Sequence, residues 1–226
     1  MPVKKKTWIR IDLLQKLVPM VIDQPRLREL MMLFLASYIF LLRLPSEGIP
    51  LAAHEAPAGR EAPVISIADD KVVIDFPFRC DRLLDTRVGS MGCRGRKNRL
   101  VPTRQTRTCW CRSCKVTCPV HILGVYIRAQ PAGTQPFEHI KPCQALLALR
   151  ELLLELGVPD ALSYGTHGLR RGHAEDIARI GGRLADILAA GDWKSGPQSQ
   201  SFLAVSAHMR LMHLTGAFLE YMDKER

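Results

Sequence analysis

The chain has no apolar run long enough to cross a bilayer. The stretch Leu30 to Leu42 (LMMLFLASYIFLL) falls short of the ~18 apolar residues a span needs and predicts a buried helix instead. The basic N-terminus MPVKKKTWIRID is followed by charged residues rather than by the apolar core of a signal peptide. These two absences point to an intracellular protein, where thiols stay reduced, so the seven Cys are not read as a disulfide frame. There is no Gly-rich phosphate loop and no acidic metal cluster, hence no visible seat for ATP chemistry or for a catalytic metal. No internal repeat occurs. Tyrosine is scarce, at four residues. Acidic residues are in deficit: 22 Asp and Glu stand against 32 Lys and Arg, for a net charge of +10 and a pI near 9.5. That imbalance implies a polyanionic partner, nucleic acid first and an anionic membrane surface second.

What is present is otherwise ordinary. A chain of 226 residues, 47% apolar and 24% charged, can bury one good core or two small ones. Residues Thr7 to Leu42 predict two amphipathic helices split near Asp23 to Pro25, with Leu13, Leu14, Leu17 and Val18 on one stripe and Leu27, Leu30 and Met31 on the next. Pro45, Gly48 and Pro50 stop the second helix, and residues 52–63 read as a loop. Val64 to Ile67 and Lys71 to Phe76 predict a hairpin around Asp69 and Asp70. From Arg79 to Arg107 the chain turns basic and loses periodicity. Pro142 to Leu156 resumes a helix, with Leu146, Leu149, Leu153 and Leu154 on its apolar side, and Gly157 ends it. Two more helices follow Thr166, ended by Gly181-Gly182 and by Gly191, and a last one covers Ala217 to Lys224. The expected class is α+β: a mostly helical domain, residues 1–226, with one small antiparallel sheet.

The stretch THGLRRGHAEDIARIGGRLADILAAGDWKS carries the chemistry. His167 and Arg170 are three apart at a helix start, so they share a face and can converge on one small anion. Arg donates two parallel hydrogen bonds to a phosphate, and a Tyr hydroxyl further on, at Tyr221, can attack one. Singly, each residue has a structural alternative: Arg43 a surface group after a buried helix, His167 and Arg170 backbone-bonding groups at a helix start, Trp193 a core residue, Tyr221 a residue of a C-terminal helix.

Taken in order, these residues resemble the catalytic domain of the tyrosine recombinases, the phage-integrase family. LLRLPSEGIPL resembles the family's first box and supplies Arg43, with Glu47 as its support; THGLRRGHAEDIARIGG resembles the second, with His167 and Arg170; GDWKS supplies Trp193, and GAFLEYMD supplies the nucleophile, Tyr221. The wording of LLRLPSEGIPL, CPVH and GDWKS is similar to that of a eukaryotic, fungal subgroup carried by mobile elements. The resemblance covers most of the chain, from about residue 5 onward, and its second box is the specific part. It implies a DNA breaking-rejoining core acting on double-stranded DNA through a 3′-phosphotyrosyl intermediate. It also implies no cofactor for catalysis, a homo-oligomer (a synaptic tetramer) on DNA, no membrane partner, and a nuclear location if the source is eukaryotic or a cytoplasmic one otherwise. The family's catalytic Lys belongs on the hairpin, where Lys97 is the choice and Lys71 the rival.

The chain departs from the family in three places. Residues 196–215 separate Trp193 from Tyr221, and their deletion would restore WKSGAFLEY. Residues 79–95 lengthen the hairpin before Lys97. The family's N-terminal core-binding domain is not seen. These departures keep an inactive DNA-binding relic open as an alternative, and type IB topoisomerases share the same chemistry. A third reading comes from CWCRSCKVTCPVH: Cys109, Cys111, Cys114, Cys118 and His121 can hold a structural zinc ion, as in a zinc-dependent nucleic-acid-binding module. Its bland counterpart is a Cys-rich loop with Cys118 and His121 packed.

Overall fold

The computed structural model describes residues 8–21, 23–68, 71–77, 102–108 and 118–191. Helix α1 (Ile11–Val21) and helix α2 (Pro25–Ile39) fall on either side of Asp23. The break has a local cause: Pro25 lacks the N–H that a helix interior requires but suits the first helical position, where that N–H has no partner anyway. Ile11, Leu14, Leu17 and Val21 give α1 a single buried stripe. Helix α2 is different. Arg26 and Arg28 are exposed in its first turn, but from Leu30 to Ile39 it is buried all round. It is the spine of the core, against which the other long helices pack.

The end of α2 sets up the site. Leu41 adopts a left-handed conformation (φ 50°). The Leu42 N–H donates to Ser37 O at 2.8 Å, and the Leu41 N–H to Tyr38 O at 3.1 Å. This is a Schellman closure, normally built with glycine. A leucine there costs about 1–2 kcal/mol, and its burial among Ala174, Ile177, Ala178 and Ile187 offsets that cost. The closure turns the chain sharply, so that Arg43 leaves the core at the surface.

The sheet has the order β1-β2-β3-β4. Strands β2 (Val64–Ala68) and β3 (Lys71–Phe76) form the expected hairpin, in register from Val64 opposite Asp75 to Ala68 opposite Lys71. Two features correct the sequence reading. Strand β1 (Ala52–Ala53), in the stretch read as a loop, pairs in parallel with β2, so the sheet is mixed rather than purely antiparallel. Strand β4 (Thr103–Thr108), in the stretch read as lacking periodicity, pairs antiparallel with β3 from Phe76 opposite Thr103 to Lys71 opposite Thr108. Facing residues share a side of the sheet. Gln105 and Arg107 therefore lie on the inner face with Ile74 and Val72. Lys71, Val73, Asp75, Arg104, Thr106 and Thr108 lie on the outer face, where Arg104 holds Asp75 with two bonds of 2.6 and 2.9 Å.

Helix α3 (Pro119–Arg128) begins inside the Cys-rich stretch and covers the inner face of the sheet. Helix α4 (Pro142–Glu155) buries Ala145, Ala148, Leu149, Leu152 and Leu153. Leu154 is 52% exposed rather than on the apolar side, because two alanines, not the outlying leucines, complete the buried stripe. A short 3₁₀ turn (Ala161–Ser163) leads to α5 (His167–Arg179). Gly181 at φ 88° separates that helix from α6 (Leu184–Gly191). The helix expected at Ala217 to Lys224 lies outside the described residues. The class is α+β, and among the described residues no helix is long and apolar enough to cross a membrane.

Several contacts fix α5 against residues 8–11. The Ile9 N–H donates to Gly168 O at 3.2 Å, and the Ile11 N–H donates to the Asp176 carboxylate at 2.9 Å. Asp176 so places an anion at the N-terminus of α1, where the helix dipole favours one. The Tyr38 hydroxyl donates to the same carboxylate oxygen at 2.6 Å. Trp8 lies beneath Arg171, whose Cζ is 5.7 Å from the ring centroid. Residues 8–11 form a strap across α5, the helix that carries His167 and Arg170.

Candidate anion-binding site

Arg43 is extended (φ −78°, ψ 111°) and is followed by a single π turn, Leu44–Gly48. The Arg43 carbonyl accepts N–H bonds from Ser46, Glu47 and Gly48, while the Ile49 N–H reaches Leu44 O at 2.9 Å. Widened turns of this kind cluster at functional sites. Here the turn folds Glu47 back beneath Arg43. Glu47 Oε2 accepts the Arg43 N–H at 2.8 Å, and Oε1 accepts Arg43 Nη1 at 3.1 Å. Gly48 permits the turn to press on α2: a Cβ there would meet Ser37 Oγ at 2.9 Å and Leu33 Cδ1 at 3.1 Å.

Arg170 reaches the same carboxylate from α5. Its Nη1 stands 3.4 Å from Glu47 Oε2, and its Nη2 donates to Gly191 O at 3.2 Å. Exposure decides how these groups can act. The side chains of Glu47 and Arg170 are 2% and 4% exposed, and that of Arg43 is 29% exposed. Glu47 is thus a buried anchor between two guanidiniums, one deep and one opening to solvent.

His167 lies one turn from both Arg170 and Arg171 on α5. It keeps an exposed edge. Loss of water on its packed side, followed by the charges of Arg171, Arg170 and Arg43, pushes its imidazole down to about 4, against the pull of Glu47. Among the described residues that act on His167, one carboxylate faces three guanidiniums, so their combined field on it is positive. His167 is neutral at pH 7, and an anion bound beside it would raise its proton affinity.

The sequence-derived candidates divide cleanly. Arg43 and Arg170 are brought together on Glu47, and His167 stands one turn before Arg170 within electrostatic reach of all three. Lys97, Trp193 and Tyr221 lie outside the described residues; α6 ends at Gly191, whose carbonyl Arg170 holds. The rival Lys71 is at the start of β3 on the sheet's outer face, away from the side that packs on α2 and α6. Of the zinc candidates, Cys118 is buried immediately before α3 and His121 is partly exposed in that helix's first turn. Cys109, Cys111 and Cys114 lie outside the described residues. Among the described residues, no group of three or more metal-ligating side chains comes together. A cavity of about 470 Å³ between Arg60, Val64, Phe76 and Thr103 includes none of the residues around Glu47. Sequence reasoning passed over Arg171, Asp176 and Arg107; the doubled RR of the second box was the only signal for any of them.

Behind the site, His173 packs against Tyr38 with ring centroids 4.7 Å apart. Burial first, then the charge of Arg107, pushes its imidazole from the ordinary 6.5 down to about 3. Asp176 moves the other way: burial raises it to about 6, against the bonds from Tyr38 and Ile11. Between pH 6.5 and 3 the unfolded chain binds a proton at His173 that the folded chain refuses, so folding weakens as the pH falls through that window. Between pH 6 and 3.8 the folded chain holds a proton on Asp176 that the unfolded chain releases, so acidification there restores part of the loss. The His173 window is wider, and its loss is on the order of a few kcal/mol. Melting temperature is expected to fall from pH 7 to pH 4. The fall should be shallower in His173→Gln and steeper in Asp176→Asn; equal slopes in all three proteins would contradict this assignment.

No model of a known protein family matches the chain, and no curated protein matches it.

Proposed function

We propose that this chain is a DNA breaking-rejoining enzyme of the tyrosine recombinase type, with Arg43, Arg170 and His167 gripping the scissile phosphate of double-stranded DNA. The observation that carries the reading is the convergence of Arg43 and Arg170 on buried Glu47 from two segments far apart in sequence, with His167 one turn before Arg170 on α5. The net charge of +10 supports a nucleic-acid partner.

In this mechanism Arg43 and Arg170 donate to the two non-bridging oxygens and stabilise the charge that grows on them in the transition state. The Tyr221 oxygen attacks phosphorus, and its proton passes to His167, whose basicity the bound phosphate has raised. The bond from phosphorus to the 5′ oxygen breaks, and that oxygen takes a proton from Lys97. Trp193 donates from its indole nitrogen. The product is a 3′-phosphotyrosyl bond and a free 5′ hydroxyl. A 5′ hydroxyl of a second strand then attacks the same phosphorus, giving its proton to Lys97, and Tyr221 leaves with the proton held by His167. The phosphotyrosyl bond conserves the phosphodiester energy, so no cofactor is consumed. In this reading strand exchange takes place in a tetramer assembled on DNA, in the nucleus of a eukaryotic host.

The long separation of Trp193 and Tyr221 favours a second reading, a DNA-binding relic that no longer cleaves. A nicked suicide substrate separates the two. An active enzyme is expected to accumulate a covalent protein–DNA adduct that Tyr221→Phe abolishes and that Arg170→Ala slows by ~10²–10³. Salt-sensitive DNA binding without any adduct would falsify the enzyme reading and leave the relic.

A further inference from the structure

Arg107 makes a set of contacts that the chemistry above does not use. It lies on the inner face of β4, and its guanidinium serves two helix ends at once. Nε donates to Ile39 O at 3.0 Å, Nη2 donates to Ala190 O at 2.9 Å, and Nη1 donates to Thr106 O at 3.1 Å. The group also stacks over Phe40, with Cζ 5.2 Å from the ring centroid. Gln105, the next inward residue on the strand, adds a bond from Nε2 to Ala190 O at 3.2 Å. The following carbonyl, Gly191 O, belongs to Arg170.

The location matters more than the number of bonds. The last four carbonyls of a helix have no partner within it and carry its negative pole. Ile39 ends α2, and the chain reaches Arg43 directly after the Schellman turn. Ala190 and Gly191 end α6. One rigid cation thus joins the helix end that delivers Arg43 to the helix end that Arg170 holds. A planar fork with fixed donor directions suits this task, and a lysine's single mobile ammonium does not.

We propose that Arg107 is the positioning residue of the clamp: by bridging the ends of α2 and α6 it sets the separation of Arg43 and Arg170, and through it the clamp's affinity for a phosphate anion. The proposal rests on the reading of Arg43, Arg170 and His167 as a phosphate site. Arg107 itself touches no substrate.

The test uses inorganic phosphate as the probe and the imidazole NMR signals of His167 as the reporter, on the full chain, at a temperature where near-UV circular dichroism shows each protein folded. Phosphate is expected to shift the His167 signals saturably in the wild-type protein. Arg107→Met should bind phosphate at least ~10-fold more weakly, and Arg107→Lys should fall between the two, because it restores charge without the fork. A merely structural role would lower the melting temperature and leave phosphate affinity in the folded molecules unchanged. A folded Arg107→Met variant with wild-type affinity therefore overturns the proposal. If that variant does not fold, Arg107→Lys decides on the same criterion. Wild-type protein whose His167 signals ignore phosphate overturns the proposal as well. Phosphate binding in a wild-type protein that forms no DNA adduct sinks strand cleavage alone and leaves the Arg107 comparison intact.

Discussion

Glu47→Ala is expected to destabilise the fold by about 3–5 kcal/mol, the usual cost of removing one partner from a buried ion pair. The reason is what remains. Arg170 keeps a buried guanidinium that has lost its carboxylate, and Arg43 loses bonds to both its backbone N–H and its side chain. The π turn at Leu44–Gly48 loses the side chain folded beneath it. Glu47→Gln retains the shape and one acceptor oxygen, so its cost should be smaller, about 1–3 kcal/mol. Adding Arg170→Met to Glu47→Ala should recover part of the loss, because the stranded charge goes with it. Urea unfolding of the four proteins in this cycle measures the coupling, which should reach 1–3 kcal/mol. Strict additivity would mean that Glu47 and Arg170 do not act on one another. Phosphate binding should move in the opposite sense from stability. Among the described residues, Glu47 is the acidic group that bonds both guanidiniums, so Glu47→Gln raises the local potential and should hold or tighten phosphate affinity. Under the proposed function the same variant should slow adduct formation, since Arg43 would no longer be held at a fixed angle, and a displacement of ~1 Å can cost ~10²-fold.

The contact between Arg43 and Glu47 was legible because it is local, four residues along one turn. The contact between Arg170 and Glu47 spans 123 residues, and the sequence reading did not contain it: the family-like order of the boxes paired Arg170 with Arg43, not with Glu47. The same division runs through the fold. The hairpin of β2 and β3 could be read because Val72, Ile74 and Phe76 alternate toward the core, and the break between α1 and α2 because Pro25 can only begin a helix there. Strand β4 could not be read, since its inward residues are Gln105 and Arg107. Polar side chains are tolerated on that face because the open carbonyls of α2 and α6 receive them, and those partners are 68 and more residues away. Helix α3 was hidden by the cysteines before it, although Pro119 at its start was a usable signal. The strap of residues 8–11 across α5 was invisible for a further reason: it bonds α5 through its own backbone N–H groups, which carry no sequence pattern.

That strap makes Gly172 the most tightly confined glycine among the described residues. In an isolated helix, replacing an interior Gly by Ala favours the helix by about 1 kcal/mol. Here the sign should reverse. A Cβ at position 172 would overlap Ile9 O and Ile9 C and would lie 3.0 Å from Arg10 N. All three are backbone atoms, so no rotamer change relieves the overlap. Either α5 moves away from the strap or the strap leaves α5. Both break the bond from Ile9 N to Gly168 O, the bond from Ile11 N to Asp176 and the stacking of Arg171 on Trp8. The second leaves the Asp176 carboxylate buried with Tyr38 as its remaining donor among these contacts. Overpacking of this kind costs about 1–3 kcal/mol where side chains can yield, and more where they cannot. Gly172→Ala is therefore expected to lose more than ~3 kcal/mol in urea unfolding, and Gly172→Val to fail to fold. Hydrogen exchange should locate the damage at the amides of Ile9 and Ile11, with α4 unaffected. A Gly172→Ala protein that melts like the wild type, with those amides still protected, would show that the strap does not pass over α5 at this point. Arg170 lies only two residues before Gly172 on α5, so a displaced helix should also loosen the grip of Arg170 on Glu47. The clamp's geometry then depends on a glycine whose only task is to let another stretch of backbone come close.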